Sequence, residues 1–445
     1  MDYRQLADQM ARDIETGRLK PGQQLPPQRR YAWDRGIAVS TASRAYAELV
    51  RRGLAMGEVG RGTFVRAKVP PTSWPGVLAD SPTLLDLERV WPILPNQSRM
   101  IADCLRALLR DASLDAMQTL AIPEGDSQQR AVVARFLRRN SWQPQPDAIA
   151  FAGSGRQAIG AALAAIAKPG DRIGFEALTY PMAKAMALQL GLVPVPIEMD
   201  AHGMSVAALE AAHASHKLAG IYVQPTMHNP TTRTMPADRR IELARFLEAT
   251  GLIAIEDGIY SYLEAQAPPP LASFSPNRVI FVESLSKRVA PGMSVGMLVL
   301  PPPLHDQVVL SLRARAVAPN GLALAAVCRL ISDGLVDELT LQKRADATQR
   351  VRLAAEMLAP LKLIAPVCGY HVWLELDEPW RAETFVAACV KRGIAMTAAP
   401  VFNTGRSSPN AVRIALASPP LATLRAALAV VLQVALSGPD APATE

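Results

Sequence analysis

The stretch LIAIEDGIYSYL at residues 252–263, with VIFVESLSKRVAPGMSVG at 279–296 behind it, decides the fold. Each opens on a short apolar run without alternation, which predicts strands buried on both faces. Each run then ends on polar residues. The first gives Asp257, with Tyr260 three residues on. The second gives Ser284, Ser286 and Lys287 in a turn, followed by Arg288. Working outward, IAFAG (149–153), RIGFE (172–176) and LAGIYVQP (218–225) have the same character and alternate with helical stretches. That alternation predicts β-α units around a parallel sheet. Such sheets bind ligands at the carboxyl ends of their strands, where these polar residues fall.

Further residues fit one site. GSGRQAI (153–159) joins a strand to an apolar helix, and the free N–H groups around Ser154, Gly155 and Arg156 suit an anion, or simply a tight turn. Tyr180 in LTYP could stack on a flat ring or pack in the core. Asn229 in QPTMHNPTT follows a strand and could donate its amide, or merely shape an Asn-Pro turn. Tyr260 could donate its hydroxyl or be packed. Arg413 is a lone charge in AVRIAL, and its burial calls for an anion: a ligand carboxylate, or a structural Asp or Glu. Imine chemistry on a ring cofactor needs a lysine, a carboxylate against the ring nitrogen, an aromatic face, a donor to the ring hydroxyl and a phosphate cradle. A candidate exists for each, although a lysine in a polar turn such as Lys287 can simply be solvated and Asp257 can face a loop or cap a helix.

The charge is unevenly spread. Residues 1–68 hold 13 Lys/Arg against 7 Asp/Glu, so nearly all of the net +7 sits in the first sixth of the chain. That points to a nucleic-acid-binding head on a neutral body, though a solvated basic surface has the same composition. Tyr3, Leu6, Ala7, Met10 and Ile14 recur at helical spacing, and Gly17 provides a stop. A second helix is expected from about Pro27 to Arg35, and a third capped by Ser40 or Thr41. Residues 54–65 read as two short strands. Helix, helix, turn, helix and hairpin make a winged helix-turn-helix. Ser40, Thr41, Ser43 and Arg44 on the third helix, Arg29 and Arg30 ahead of it, and Arg61 at the wing tip are the candidate contacts to double-stranded DNA.

The expected organisation is a winged helix over residues 1–67, a proline-rich linker at 68–97, an α/β body at 98–436 and a polar tail at 437–445. A smaller α+β subdomain is expected from about residue 360. No apolar run reaches the ~18 residues of a spanning helix. The N-terminus is charged throughout, unlike a secretory signal. Cys104, Cys328, Cys368 and Cys389 form no CxxC pair, which predicts neither a disulfide framework nor a metal site, and so a reduced, cytoplasmic protein.

PGQQLPPQRRYA, GIAVSTASRAYAEL and GRGTFV resemble the GntR-type winged helix over residues 3–65. The resemblance implies that Arg29 contacts DNA. Val39 and Ser43 stand where many members carry contacting arginines, so no operator sequence carries over. PGDRIGFEALTYP, YVQPTMHNPTT, IEDGIYSYL, ESLSKRVAPG and AVRIALA resemble fold-type I aminotransferases from about residue 84 to 433. This implies the pyridoxal phosphate (PLP)-dependent transferase fold, with Lys287 as the aldimine lysine and Asp257 against the pyridinium. It places Asn229 and Tyr260 near the ring oxygen, Tyr180 stacked on the ring, and Ser154, Gly155, Arg156, Ser284 and Ser286 around the phosphate. Arg413 would take a substrate or effector carboxylate.

There are departures. Ser294 stands where the family usually has a phosphate-gripping arginine, and Arg288 or Arg156 is expected to compensate. Leu178, Thr232, Ala121 and Ile122 also differ from the common pattern. These changes favour a sensor over an efficient enzyme. Head and body together resemble the MocR family of bacterial transcription regulators. That implies a head-to-tail homodimer in which the body senses an amine, an amino acid or a vitamin B6 compound. Two alternatives stay open: an active aminotransferase with an accessory head, and a DNA-binding regulator whose vestigial body binds no PLP.

Overall fold

The computed structural model describes residues 3–20, 22–51, 54–58, 62–65, 84–111, 122–139, 141–405 and 408–438. In the N-terminal unit, helices Tyr3–Glu15, Gln28–Arg35 and Val39–Arg51 are followed by the strands Ala55–Glu58 and Gly62–Val65, paired antiparallel. Leu6, Ala7, Met10 and Ile14 all point into one small core with Ala42, Ala45, Tyr46 and Leu49. The Tyr46 hydroxyl donates to the Pro26 carbonyl at 2.7 Å, tying the third helix to the turn before the second. Gly36 ends the second helix with φ 64°, a conformation that costs glycine little.

The third helix starts at Val39, one residue earlier than its polar residues suggest. The Ala38 carbonyl accepts from the amides of both Thr41 and Ala42, so Ser40 and Thr41 lie within the first turn rather than capping it. The tight turn from Gly36 leaves no extended residue at Ser40 to act as a cap. Ser40, Ser43 and Arg44 are exposed on this helix and Thr41 is half-buried. Arg29 and Arg30 are exposed on the second helix. Arg61 lies outside the described residues, as does Ala121.

The large unit is built on a seven-stranded sheet. Its order is Ile149–Ala152, Gly296–Val299, Val279–Ser284, Ile253–Asp257, Gly220–Val223, Arg172–Glu176 and Val193–Ile197. Gly296–Val299 runs antiparallel to both neighbours, and the other pairings are parallel. The strands are apolar on both sides because helices cover both faces, giving two separate hydrophobic layers. Helix Leu335–Met357 then runs from the large unit to a smaller one. It buries Val336 and Leu339 in the first and Val351 and Ala354 in the second. The small unit is an antiparallel sheet ordered Lys362–Ile364, His371–Glu375, Ala411–Ala415 and Thr397–Ala398, backed by helices Ala382–Lys391 and Leu421–Ser437. No helix among the described residues is long and apolar enough to cross a membrane.

The proline-rich stretch before the body is docked from residue 84 onward. Leu85–Asp86 pairs parallel with Ile394–Ala395, and the amides of Leu85 and Leu87 donate to the carbonyls of Gly393 and Ala395. Proline composition suggests a spacer, but Leu85, Leu87 and Val90 are apolar anchors, and Leu87 and Val90 are buried on the body.

Arg240 is buried completely and holds the loop after Gly220–Val223. Its guanidinium donates to the carbonyls of Met235, Pro225 and Pro269 and to the Thr226 hydroxyl, at 2.8–3.0 Å. Removing it leaves several buried acceptors unsatisfied. Arg240→Met is expected to lower unfolding stability by at least ~3 kcal/mol, read from denaturant midpoints.

Candidate functional site

A cavity of about 380 Å³ opens at the carboxyl ends of the parallel strands, between the large and small units. That volume falls in the usual range for a small-molecule site. Lys287 enters it from the four-residue helix Leu285–Arg288, and Asp257 from the end of Ile253–Asp257. Burial, and then the charges of Arg156, Arg413 and Lys343, push the Lys287 ammonium down to about 7, against the pull of Asp257. Much of this amine is therefore unprotonated near neutrality, the state required of a nucleophile. The lysine turn is clamped from behind, because its backbone carbonyl accepts from Lys343 Nζ at 3.0 Å and from the Tyr262 hydroxyl at 3.1 Å.

Asp257 is buried and points into the cavity. Its Oδ2 accepts from the Tyr222 hydroxyl at 2.6 Å and from Gln224 Nε2 at 2.9 Å, while Oδ1 accepts from the Ile259 amide. Burial raises its carboxyl to about 6 in spite of these donors. A cationic ring nitrogen would remove that penalty. Tyr222 and Gln224 escape a reading of the sequence. Gln224 meets Asp257 only because two parallel strands align Val223 with Glu256, one residue earlier. The one hint is a polar pair at the end of an apolar run.

Other expected residues line the same cavity: Ser154, Gly155, Arg156, Tyr180, Asn229, Tyr260, Ser284, Ser286 and Arg413. Ser154 caps helix Gly155–Ile166, its Oγ accepting from the Gln157 amide at 3.2 Å. Ser284 Oγ accepts from the Ser286 amide and lies 3.1 Å from Ser294 Oγ. Two helix N-termini and their hydroxyls thus converge at one end of the cavity. A Cβ added at Gly155 would sit 3.0 Å from Ser284 Cβ, so the cradle admits only glycine comfortably there. The Arg156 guanidinium lies near the Tyr180 hydroxyl at this end, its charge opposing the burial that raises the Tyr180 pKa. The arrangement fits a phosphate. Ring nitrogen, imine-forming carbon and phosphate would then face Asp257, Lys287 and this cradle, respectively.

Arg413 is buried with no acidic side chain bonded to it. Its guanidinium donates to Asn229 Oδ1 at 2.9 Å and to the backbone carbonyl of Glu88, and its Nε has no partner. A buried guanidinium held by neutral acceptors is open to a carboxylate. Tyr260 packs on the ring of His371 at 5.5 Å. Burial, then the charge of Arg413, hold His371 unprotonated, with its pKa near 3.

Arg288 is a correction. It does not line the cavity. It turns the opposite way from Lys287, to within 3.3 Å of the fully buried Glu283 carboxylate, and lies over the rings of Phe136 and Tyr262. Adjacent helical residues project about 100° apart, and Glu283 has to be neutralised. Arg139 joins the same carboxylate at 2.8 Å.

Residues 97–431 match the family described as aminotransferase class I and II, and residues 2–65 match the gntR family of bacterial regulatory proteins. The chain is 30% identical to the HTH-type transcriptional regulator YdeF of Bacillus subtilis, covering 94% of this chain and 90% of that one. It is 26% identical to the HTH-type pyridoxine biosynthesis transcriptional regulator PdxR of Corynebacterium glutamicum, covering 96% and 94%. Among solved structures, a multiple substrate aminotransferase from Thermococcus profundus superposes with a TM-score of 0.73 at 22% identity, over 80% of this chain and 92% of that one, a likeness of fold. With a cavity built for PLP behind a winged helix, the chain belongs to the aminotransferase class I and II family, whose members depend on that cofactor, in its MocR-type branch of DNA-binding regulators.

Proposed function

We propose that the chain is a cytoplasmic regulator whose head binds a double-stranded operator while its body holds PLP on Lys287 and senses an amine, an amino acid or a vitamin B6 compound. The reading is carried by one observation: a buried lysine of depressed basicity faces a buried aspartate across a cavity with an anion cradle at one end. The relative named for pyridoxine biosynthesis supports keeping B6 compounds among the effectors. When bound, the cofactor supplies an electrophilic aldehyde carbon on an electron-withdrawing ring.

The chain's own residues do the rest. Asp257 keeps a proton on the ring nitrogen, and Tyr180 presents a flat face. Arg156, the cation nearest the cradle, serves where Ser294 supplies only a hydroxyl. Arg413 takes the effector's carboxylate and steadies Asn229, leaving the Asn229 amide hydrogens for the ring oxygen. We read residues 1–67 as the head and 98–436 as the body of a head-to-tail homodimer.

Mixing the protein with PLP should give a visible Schiff-base absorption band, lost in Lys287→Ala. No band in the wild type would sink the cofactor reading. Because the amine is neutral only above its pKa, acylation of Lys287, followed by peptide mass mapping, should rise through about pH 7. Exposed lysines should label only near ~10. For the head, Arg29→Ala or Arg44→Ala should weaken DNA binding and flatten the dependence of log K on log salt by about 1 each. Titration in a filter or anisotropy assay at several salt concentrations reads this slope.

A further inference from the structure

Residues 85–91 do more than lead into the body. They form a strap over the cavity, and two of the site's functional cations hold it there. Lys287 Nζ donates to the Val90 carbonyl at 2.7 Å, and the Arg413 guanidinium donates to the Glu88 carbonyl. At its other end the strap is tied to the small unit. Leu85 and Leu87 donate to Gly393 and Ala395, and the Ala415 amide donates to the Leu87 carbonyl at 2.8 Å. The strap is also folded on itself. Asp86 Oδ1 accepts from the amides of Glu88 and Arg89, and Asp86 Oδ2 lies 2.7 Å from Arg89 Nε. Asp86 thus braces the turn from within.

We propose that this strap is a latch released by ligand, in which Lys287 and Arg413 each hold one carbonyl of the strap and give it up on binding. This rests on the reading of Lys287 and Arg413 above. When an aldehyde carbon bonds to Nζ with release of water, both hydrogens of the neutral amine leave the nitrogen. The donor to Val90 is lost. A carboxylate on Arg413 competes in the same way with the Glu88 carbonyl, because a charged acceptor outbids a neutral one. The two halves of the ligand, carbonyl and carboxylate, thus undo two separate fastenings. The strap continues directly into residues 66–83 and so into the DNA-binding head. Occupancy is coupled to the linker through backbone contacts, with no relay through the core.

Hydrogen exchange by mass spectrometry on the full chain tests this. In Lys287→Ala, with no ligand added, the amides of residues 85–91 should exchange on the order of tenfold faster, the loss of one buried hydrogen bond. Strand Ile253–Asp257 should keep its protection. Lys287→Met, which retains the aliphatic stem, guards against a mere packing defect, and Arg413→Gln should have a similar effect on the strap. PLP added to the wild type should reproduce the faster exchange, and added to Lys287→Ala should change nothing further. Unchanged strap exchange in both lysine variants would overturn the latch, and so would slower exchange in the wild type with PLP. If PLP gives no absorption band, the cofactor reading fails, while the ligand-free variants still decide the latch.

Discussion

An ammonium group sealed inside a protein must lose its proton or find an anion, and Lys287 is placed where neither outcome is complete. It is surrounded by Arg156, Arg413 and Lys343, with Asp257 the principal opposing charge. Three of those neighbours are themselves held: Asp257 by Tyr222 and Gln224, Arg413 by Asn229 and Glu88, Lys343 by the carbonyls of Lys287 and Val289. Burial first, and then these neighbouring charges, hold the basicity of the lysine down. Burial and repulsion act in the same direction.

The same constraint explains why the site lies between two units rather than within one. Lys287 and Asp257 come from the large unit and Arg413 from the small one, so a ligand that engages all three must bridge them. The strap at residues 85–91 makes that bridge within the chain itself. It is pinned to the small unit at Leu85 and Leu87 and reaches Lys287 through Val90. Sensing by such a site needs no turnover. A change in what occupies the amine and the guanidinium is already a change in how the strap is held.

Arg156 and Arg288 show two fates of a charge near an anion site. Both follow a helix start at the cradle and both are basic. Arg288 is taken by Glu283, whose full burial makes an internal partner obligatory. Arg156 has no such carboxylate bonded to it among the described residues, lies near Tyr180 and remains at the cavity.

Much of this was legible in the residues alone. Apolar runs closing on Asp257, Ser284 and Lys287 announce strands and a site at their ends, because strand periodicity and burial are local properties. The order of Gly-Ser-Gly, Tyr, Asn-Pro, Asp and Lys carries the resemblance to fold-type I aminotransferases and, with it, the expected cofactor. The apolar stripes of the head predict its three helices for the same local reason. Tertiary structure decided what depends on meeting across distance. It turned Arg288 away from the cavity, set Gln224 and Tyr222 against Asp257 through strand register, and laid a proline-rich stretch against Lys287. Composition marks that stretch as a spacer. Only the edge of a strand just over three hundred residues away gives it somewhere to bind.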